Sequence, residues 1–291
     1  MENVRIKIFG SNSSLSPIEN LKNAFVSLGC IIVNESPDLI FDLTGFFEDA
    51  IECGKKYPKA IKIFNLLNAD INNTNWGDGR NVRRQLLQAD IPTTVSKSTK
   101  KDIKGRTGID CEVIYFPMKS VTQMNLPRTL DFLYVGRLFN KEKRFKIIPQ
   151  IFKKINIPQE RFVTVGPEDP GFGYYAGLVT DEHLNLIYNY SKYLFCPCEH
   201  EGSMSMLEAI ITDCFPLVCH DNEWVKEFEL MLFACDYDVD SFINKIGDIE
   251  NNTGKYVMAI DELKPKIIEK FDVKNVARRI IDLYYNYKNS K

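Results

Sequence analysis

The stretch DFLYVGRLFNKEKRF, residues 131–145, predicts both an element of the fold and a ligand. Residues 130–135 are typical of a buried strand, and 144–155 is predicted as the helix that follows. Between them lie a glycine, an arginine and several lysines. Glycine permits close backbone approach, while guanidinium and ammonium groups bind phosphate oxygens. The stretch therefore predicts a diphosphate site, with an ordinary strand end and a solvated helix start as the alternative.

The same alternation of apolar strands and amphipathic helices runs from end to end, which predicts parallel sheets. Strands are predicted at 4–9, 38–43, 61–66, 93–96, 112–116, 130–135, 161–165, 193–196 and 216–219. Helices are predicted at 17–28, 51–57, 144–155, 181–190, 205–211 and 273–287, and 68–79 is predicted as a long loop. The alternation pauses at 117–127.

This pattern predicts an α/β protein with two Rossmann-like, doubly wound domains that face each other across a cleft. The N-terminal domain is predicted at 1–118 and the C-terminal domain at 119–272. Residues 273–291 are predicted as a C-terminal helix that packs back towards the N-terminal domain. Ligands of such sheets bind at the carboxyl ends of the strands.

Composition argues against several classes of protein. The net charge of −2 and pI near 6.0 provide no general attraction for nucleic acid. No uncharged run reaches the length of a membrane span, and the N-terminus lacks a signal-peptide pattern. The eight cysteines are scattered, as is usual for reduced thiols. We therefore expect a cytoplasmic protein without a transmembrane segment.

A second informative stretch is FCPCEHEGSMSMLEA, residues 195–209. A predicted strand ends at Pro197, and an acidic turn then leads into a helix. Backbone N–H groups at a helix N-terminus attract anions, and carboxylates commonly accept hydrogen bonds from sugar hydroxyls. The amides in question belong to Gly202, Ser203 and Met204, and the carboxylates to Glu201 and Glu208.

Two other interpretations of this stretch remain open. Ser205 and Glu208 have the spacing of a capping box, which would give Glu208 a structural role. Cys196, Cys198 and His200 lie at alternate positions, as metal ligands on one strand face can do. No second ligand pair follows them, so we expect no metal site there.

Together the two stretches resemble the C-terminal domain of the glycosyl transferases group 1 family (glycosyltransferase family 4), which has the GT-B fold. The resemblance covers residues 131–229. The matching elements, in order, are Gly136-Arg137-Leu138, Lys143, Gly177-Leu178-Val179 before Asp181-Glu182, Pro197, Glu201-Gly202, Glu208-Ala209 and Pro216-Leu217-Val218.

The resemblance implies a role for each matching residue. Arg137 and Lys143 would contact the diphosphate of a nucleotide-sugar donor beside Gly136, and Glu208 would bind the ribose. Val179 would lie beside the base. The transferred sugar would be held by Glu201 with the amides of Gly202 and Ser203. Such enzymes usually retain the anomeric configuration and need neither a bound metal nor another cofactor.

The sequence departs from the family pattern at three points, one of which is Asp213, where the family has a glycine. The two glutamates are seven residues apart, since 208 − 201 is seven, where the family has eight; His200 stands at the expected spacing and is an alternative to Glu201. The first domain also lacks the family's histidine. The residues expected on its acceptor side are Gly10, Ser11, Asn12, Asp42 and Thr44.

These observations predict a hexosyltransferase that uses a UDP- or GDP-sugar and a hydroxyl acceptor. The acceptor is left open among a saccharide, a lipid-linked saccharide and a modified nucleic-acid base. A glycosyltransferase acting on such a base is the second hypothesis. The third is a non-catalytic module of the same fold that binds sugar or nucleotide.

Overall fold

The computed structural model describes residues 3–10, 18–43, 47–66, 79–118, 121–138, 141–199 and 204–291. The strands are β1 Arg5–Phe9, β2 Ile31–Ile32, β3 Leu39–Asp42, β4 Ile61–Leu66, β5 Ile91–Thr94, β6 Glu112–Val113, β7 Leu130–Val135, β8 Phe162–Val165, β9 Tyr174–Gly177, β10 Ser191–Cys196, β11 Phe215–Cys219 and β12 Ala234–Cys235. The α-helices are α1 Ile18–Ser27, α2 Glu48–Lys56, α3 Gly79–Leu86, α4 Lys97–Thr107, α5 Ile147–Ile155, α6 Asp181–Tyr190, α7 Met204–Ile211, α8 Glu223–Glu227, α9 Val239–Asn251, α10 Thr253–Phe271 and α11 Val273–Ser290.

The chain forms two compact units, Met1–Met118 with Lys270–Lys291, and Lys119–Glu269. Each unit contains a six-stranded sheet, in the order β2-β1-β3-β4-β5-β6 and β12-β11-β10-β7-β8-β9. All neighbouring strands in both sheets are parallel. The predicted fold class, α/β with two Rossmann-like domains, is therefore confirmed.

The sheet of the first unit carries a hydrophobic cluster on each face. Phe41 belongs to one cluster, together with residues of α1 and α11, while its neighbour Ile40 belongs to the other. This division follows from the geometry of a strand, in which successive side chains point to opposite faces. The C-terminal helix α11 is thus part of the core of the first unit.

Aromatic side chains form much of the core of the second unit. Phe132 of β7 stacks on Tyr193 and Phe195 of β10, with ring centroids 5.3 and 5.0 Å apart. Phe152 of α5 packs against Phe162 of β8 at 4.7 Å. These contacts hold the central strands and one covering helix together, and so fix the loops at the strand ends.

The observed elements correct several predictions. The helix predicted from residue 144 begins at Ile147, and the strand predicted at 112–116 is only Glu112–Val113. The sequence pattern did not predict the short strands β2, β9 and β12 or the helices α3, α4, α8, α9 and α10. The predicted loop 68–79 lies outside the described residues except for Gly79, which begins α3.

Candidate functional site

Two loops of the second unit lie at the position where its strand order reverses. β7 lies between β8 and β10, so the chain builds the sheet outward in both directions from β7. In open α/β sheets, ligands bind at the carboxyl ends of the strands on either side of such a point. β7 ends at Val135 and β10 at Cys196, and the two strands are parallel. The loops that follow them contain most of the predicted donor residues.

Glycines allow the loops after β7 and β8 to approach each other closely. Gly136 has a φ of +146° and donates its N–H to the carbonyl of Val165 at 2.9 Å. A Cβ added to Gly166 would lie 2.2 Å from the carbonyl oxygen of Gly136. Only glycine therefore fits at position 166 without moving the backbone of the neighbouring loop.

The backbone on either side of Arg137 is held by two side chains. Tyr134 donates its hydroxyl to the Arg137 carbonyl at 2.9 Å, and Glu168 accepts the N–H of Leu138 at 3.0 Å. Burial raises the pKa of Tyr134, so its phenol stays protonated and remains a donor. The Arg137 side chain itself is exposed. A fixed backbone with an accessible guanidinium is suited to binding an anion.

Lys143 is the last residue of a 3₁₀ turn, Lys141–Lys143, and is half-buried. The next residue, Arg144, has a φ of +51°, in the left-handed region. This conformation cannot be part of an α-helix, which explains why the predicted helix begins three residues late.

The Arg144 guanidinium is paired rather than solvated. It lies 3.0 Å from a carboxylate oxygen of Glu199 and 2.7 Å from one of Asp221. Its central carbon lies 4.7 Å from the ring centroid of Tyr237. Burial lowers the pKa of Arg144, but the two carboxylates outweigh burial and the net change is upward.

Glu208 is buried in α7, with 4% of its surface exposed. One carboxylate oxygen accepts the hydroxyl of Tyr188 at 2.8 Å. The capping-box interpretation is wrong, because α7 begins at Met204 and Ser205 is already its second residue. Met204 is half-buried at the start of this helix. A buried carboxylate in the helix after β10 is consistent with the predicted ribose contact, which stays a prediction.

The turn between Glu199 and α7 lies outside the described residues. It contains His200, Glu201, Gly202 and Ser203, so the choice between His200 and Glu201 stays open. Their proposed contacts with the sugar remain predictions from the sequence.

Val179 follows β9, at the outer edge of the sheet. Gly177, with a φ of +71°, turns the chain there, and Leu178 is 62% exposed. Val179 is half-buried, and Thr180 then caps α6 by accepting the N–H of His183 at 3.3 Å. β8 separates β9 from β7 in the sheet, so Val179 is two strands away from the loop that follows β7. Its predicted position beside the base stays a prediction.

Two of the residues predicted on the acceptor side, Gly10 and Asp42, lie at the matching point of the first sheet. Its strand order reverses between β1 and β3, where Phe9 pairs with Asp42. Asp42 is 1% exposed, so its carboxylate is enclosed rather than open to a ligand. A Cβ on Gly10 would lie 1.5 Å from the terminal carbon of Ile18, which gives this glycine a packing role. The predicted residues Ser11, Asn12 and Thr44 lie outside the described part.

Two cavities of the described structure lie away from these loops. One, of 530 Å³, is at the amino ends of β1, β3 and β4, and the other, of 520 Å³, lies beside β12 and α9. Neither is lined by a predicted donor residue.

Cys196 and Cys198 are both buried, with their sulfurs 3.2 Å apart. Among the described residues, no group of three or more His, Cys, Asp and Glu side chains is arranged to hold a metal.

Four residues around this site were not predicted from the sequence. They are Gly166, Glu168, Tyr188 and, in its ion-pairing role, Arg144. Gly166 had a detectable signal, because it directly follows a predicted strand, as Gly136 does. The other three act through contacts with residues distant in the chain, for which the sequence contains no local signal.

Comparison with known proteins supports the fold. No protein-family model matches this chain, and no curated protein matches its sequence. Solved structures do match. The Anabaena protein Alr3699/HepE, in complex with UDP and glucose, is 12% identical with a TM-score of 0.69, over 98% of this chain and 100% of that one.

Two further structures have the same fold. The pneumococcal O-GlcNAc transferase GtfA, in complex with UDP and GlcNAc, is 12% identical with a TM-score of 0.61, over 86% of this chain and 56% of that one. An alpha-glucosyltransferase in complex with UDP and a 13-mer DNA containing a HMU base is 11% identical with a TM-score of 0.64, over 98% and 100%. This chain has the fold of these transferases. None of its described helices combines the length and apolar character needed to cross a bilayer.

Proposed function

We propose that this chain is a hexosyltransferase that takes a sugar from a UDP-sugar and passes it to a hydroxyl acceptor. The observation that carries the proposal is the arrangement at the β7–β10 switch point. An exposed Arg137 on a fixed backbone follows one strand, and the buried Glu208 lies in the helix that follows the other. Structures of the same fold contain UDP, which supports a uridine nucleotide as donor.

The proposed chemistry is stabilisation of a leaving diphosphate. As the bond between sugar and UDP breaks, negative charge increases on the diphosphate oxygens. Arg137 and Lys143 would neutralise that charge, and such groups act most strongly in the transition state. Glu208 would accept hydrogen bonds from the ribose, and Glu201 or His200 would contact the sugar.

The test is turnover by single variants. Arg137→Ala and Lys143→Ala should each lose about 10²-fold or more in kcat, the scale found when one charge-stabilising donor is removed. Lys153→Ala is the matched control, because Lys153 is an exposed lysine of α5 away from the loop. Normal turnover in both variants would refute the diphosphate assignment. UDP-sugar binding without release of UDP would instead favour a non-catalytic module.

The proposal extends to the family, the stereochemistry and the metal requirement of the enzyme. We infer membership of glycosyltransferase family 4 from the ordered motifs between 131 and 229. Retention of configuration follows from that membership, and proton NMR of the first product formed would reveal the anomer. Independence from metal is expected as well, so activity should persist in excess EDTA.

A modified nucleic-acid base is a second candidate acceptor. The observation in its favour is the DNA-bound alpha-glucosyltransferase, which matches over 98% of this chain and 100% of that one. The net charge of −2 weighs against strong binding to DNA. Sugar transfer to a 13-mer DNA with a HMU base, compared with the same DNA carrying thymine, separates this candidate from saccharide acceptors.

A further inference from the structure

The side chain of Arg144 connects loops that follow four neighbouring strands. Arg144 itself follows β7, and its ion-pair partners Glu199 and Asp221 follow β10 and β11. Tyr237, whose ring it covers, follows β12. These strands are adjacent in the sheet, in the order β12-β11-β10-β7. One guanidinium therefore connects the loops that follow four of the six strands, including both loops at the switch point.

The backbone of Arg144 depends on these contacts. A positive φ is unfavourable for any residue with a Cβ, and it persists where surrounding contacts enforce it. Here the side chain is fixed by two carboxylates and a ring, and the carbonyl accepts the Tyr237 hydroxyl at 3.4 Å. Lys143 is bonded directly to this residue, so its direction depends on the same contacts.

Arg144 is mostly enclosed, although the two carboxylates that pair with it are half-exposed. Its side chain is 15% exposed, whereas that of Arg161, paired with Asp131 at 2.6 Å, is 48% exposed. Exposed pairs contribute little, because water and salt screen them. Arg161 precedes β8, at the opposite edge of the same sheet. Arg161 can therefore serve as a control for Arg144, because its side chain is exposed and lies away from the site.

We propose that Arg144 is a positioning residue that fixes Lys143 relative to Glu199 after β10 and Asp221 after β11, and thereby sets the affinity for the donor diphosphate. This inference rests on the proposed function, in which Lys143 contacts the donor diphosphate. Arg144 acts through Lys143 and does not touch the donor, since its charge is committed to Glu199 and Asp221.

The first measurement is UDP affinity by calorimetry for Arg144→Gly. Glycine adopts the left-handed conformation readily, so this variant removes the side-chain contacts and leaves the backbone geometry accessible. We expect UDP to bind about tenfold more weakly, the loss of one good contact. In a Lys143→Ala background the same substitution should have little further effect, because coupled residues are not additive. An equal loss in both backgrounds would reveal a general structural role and overturn the proposal.

The second measurement needs no ligand. Hydrogen exchange at the amides of 143–146, 198–199 and 220–222 should accelerate together in Arg144→Gly, and remain unchanged in the control Arg161→Ala. If exchange does not change in the loops after β10 and β11, Arg144 does not connect them and the proposal fails. Asp221→Asn removes one partner without altering residue 144, and should reproduce both effects if Arg144→Gly does not fold.

The two proposals fail in different ways. If the wild type binds no UDP or UDP-sugar, the proposed function is wrong, and accelerated exchange would leave Arg144 a structural role alone. If the wild type turns over donor while Arg144→Gly binds UDP with the wild-type affinity, only the positioning role is refuted.

Discussion

The hydroxyl of Tyr188, in α6, donates a hydrogen bond of 2.8 Å to a carboxylate oxygen of Glu208, in α7. Both side chains are buried. Burial raises the pKa of Tyr188 and the adjacent carboxylate raises it further, so the phenol remains a donor at any physiological pH. Glu208 is therefore oriented before a ligand binds, with Tyr188 holding one of its two oxygens.

Removing this hydroxyl should weaken both stability and donor binding. Tyr188→Phe takes a donor from a buried carboxylate, and we expect a loss of about 1–3 kcal/mol in the free energy of unfolding. Urea denaturation measures it, and calorimetry with UDP should register weaker binding. Tyr174→Phe is the control, since Tyr174 is 63% exposed. Unchanged stability in Tyr188→Phe would mean that Glu208 relies on other partners.

Gly166 should tolerate no side chain. Its added Cβ would lie 2.2 Å from the Gly136 carbonyl oxygen, a backbone atom that cannot rotate away. Gly166→Ala should therefore cost about 1–3 kcal/mol, as overpacking does, and displace the loop that carries Arg137. We expect lower thermal stability and weaker UDP binding together.

The control for that substitution is Gly247→Ala, in the middle of α9. A Cβ there meets no heavy atom within 4 Å, and alanine is the better helix former. Gly247→Ala should be neutral or stabilising by up to about 1 kcal/mol. Equal behaviour of the two variants would contradict the close approach of the loops after β7 and β8.

The sequence predicted the strand β7 and the glycine and arginine that follow it, because their signal is local. A strand, a glycine and an arginine stand together in residues 131–137, and the structure places them at a strand end as expected. The position of that strand beside β10 has no local signal, because strand order arises from packing between distant segments. Only the resemblance to a known family grouped residues 131–145 and 195–209 into one predicted site.

Arg144 shows where local pattern fails. Apolar residues at helical spacing follow it, so the pattern predicts a helix from this residue onward. The ion pairs to Glu199 and Asp221 come from residues 55 and 77 positions later in the chain, and they hold Arg144 in a non-helical conformation. Tyr188 and Glu208 likewise meet from different helices. These are tertiary contacts, and the hydrophobic periodicity of a single stretch of sequence does not reveal them.

Arg128 should be among the most sensitive residues of the second unit. Its guanidinium donates to the carbonyls of Tyr188 and Ser191 at 2.8 and 2.9 Å, and also to that of Thr212. Arg128→Ala would leave these three carbonyls without that donor, at a cost of about 2–4 kcal/mol. Lys226→Ala is the control, because the Lys226–Glu223 pair is exposed. Chemical denaturation of both variants measures the difference in the free energy of unfolding. A loss under about 1 kcal/mol for Arg128→Ala would refute the expected role of its hydrogen bonds.

Asp90 links the sheet of the first unit to its last helix. Its carboxylate accepts the backbone N–H of Lys62 at 3.0 Å and the hydroxyl of Tyr287 at 2.9 Å, and pairs with the Lys62 ammonium at 2.6 Å. Burial raises the pKa of Asp90, but these partners outweigh it and hold the pKa below its ordinary value. The ionised form is therefore the one that stabilises the fold.

The sign of the resulting pH dependence follows directly. A carboxylate whose pKa is lowered by folding contributes stability that is fully present above its unfolded pKa of about 3.9. That stability is lost as the pH falls through the folded pKa. Asp90→Asn should thus be less stable than the wild type at pH 7, and the difference should shrink below about pH 4. Urea midpoints at pH 7, 5, 4 and 3 measure it, with Asp261→Asn as the exposed control. A difference that stays constant across this range would mean that the charge of Asp90 contributes nothing.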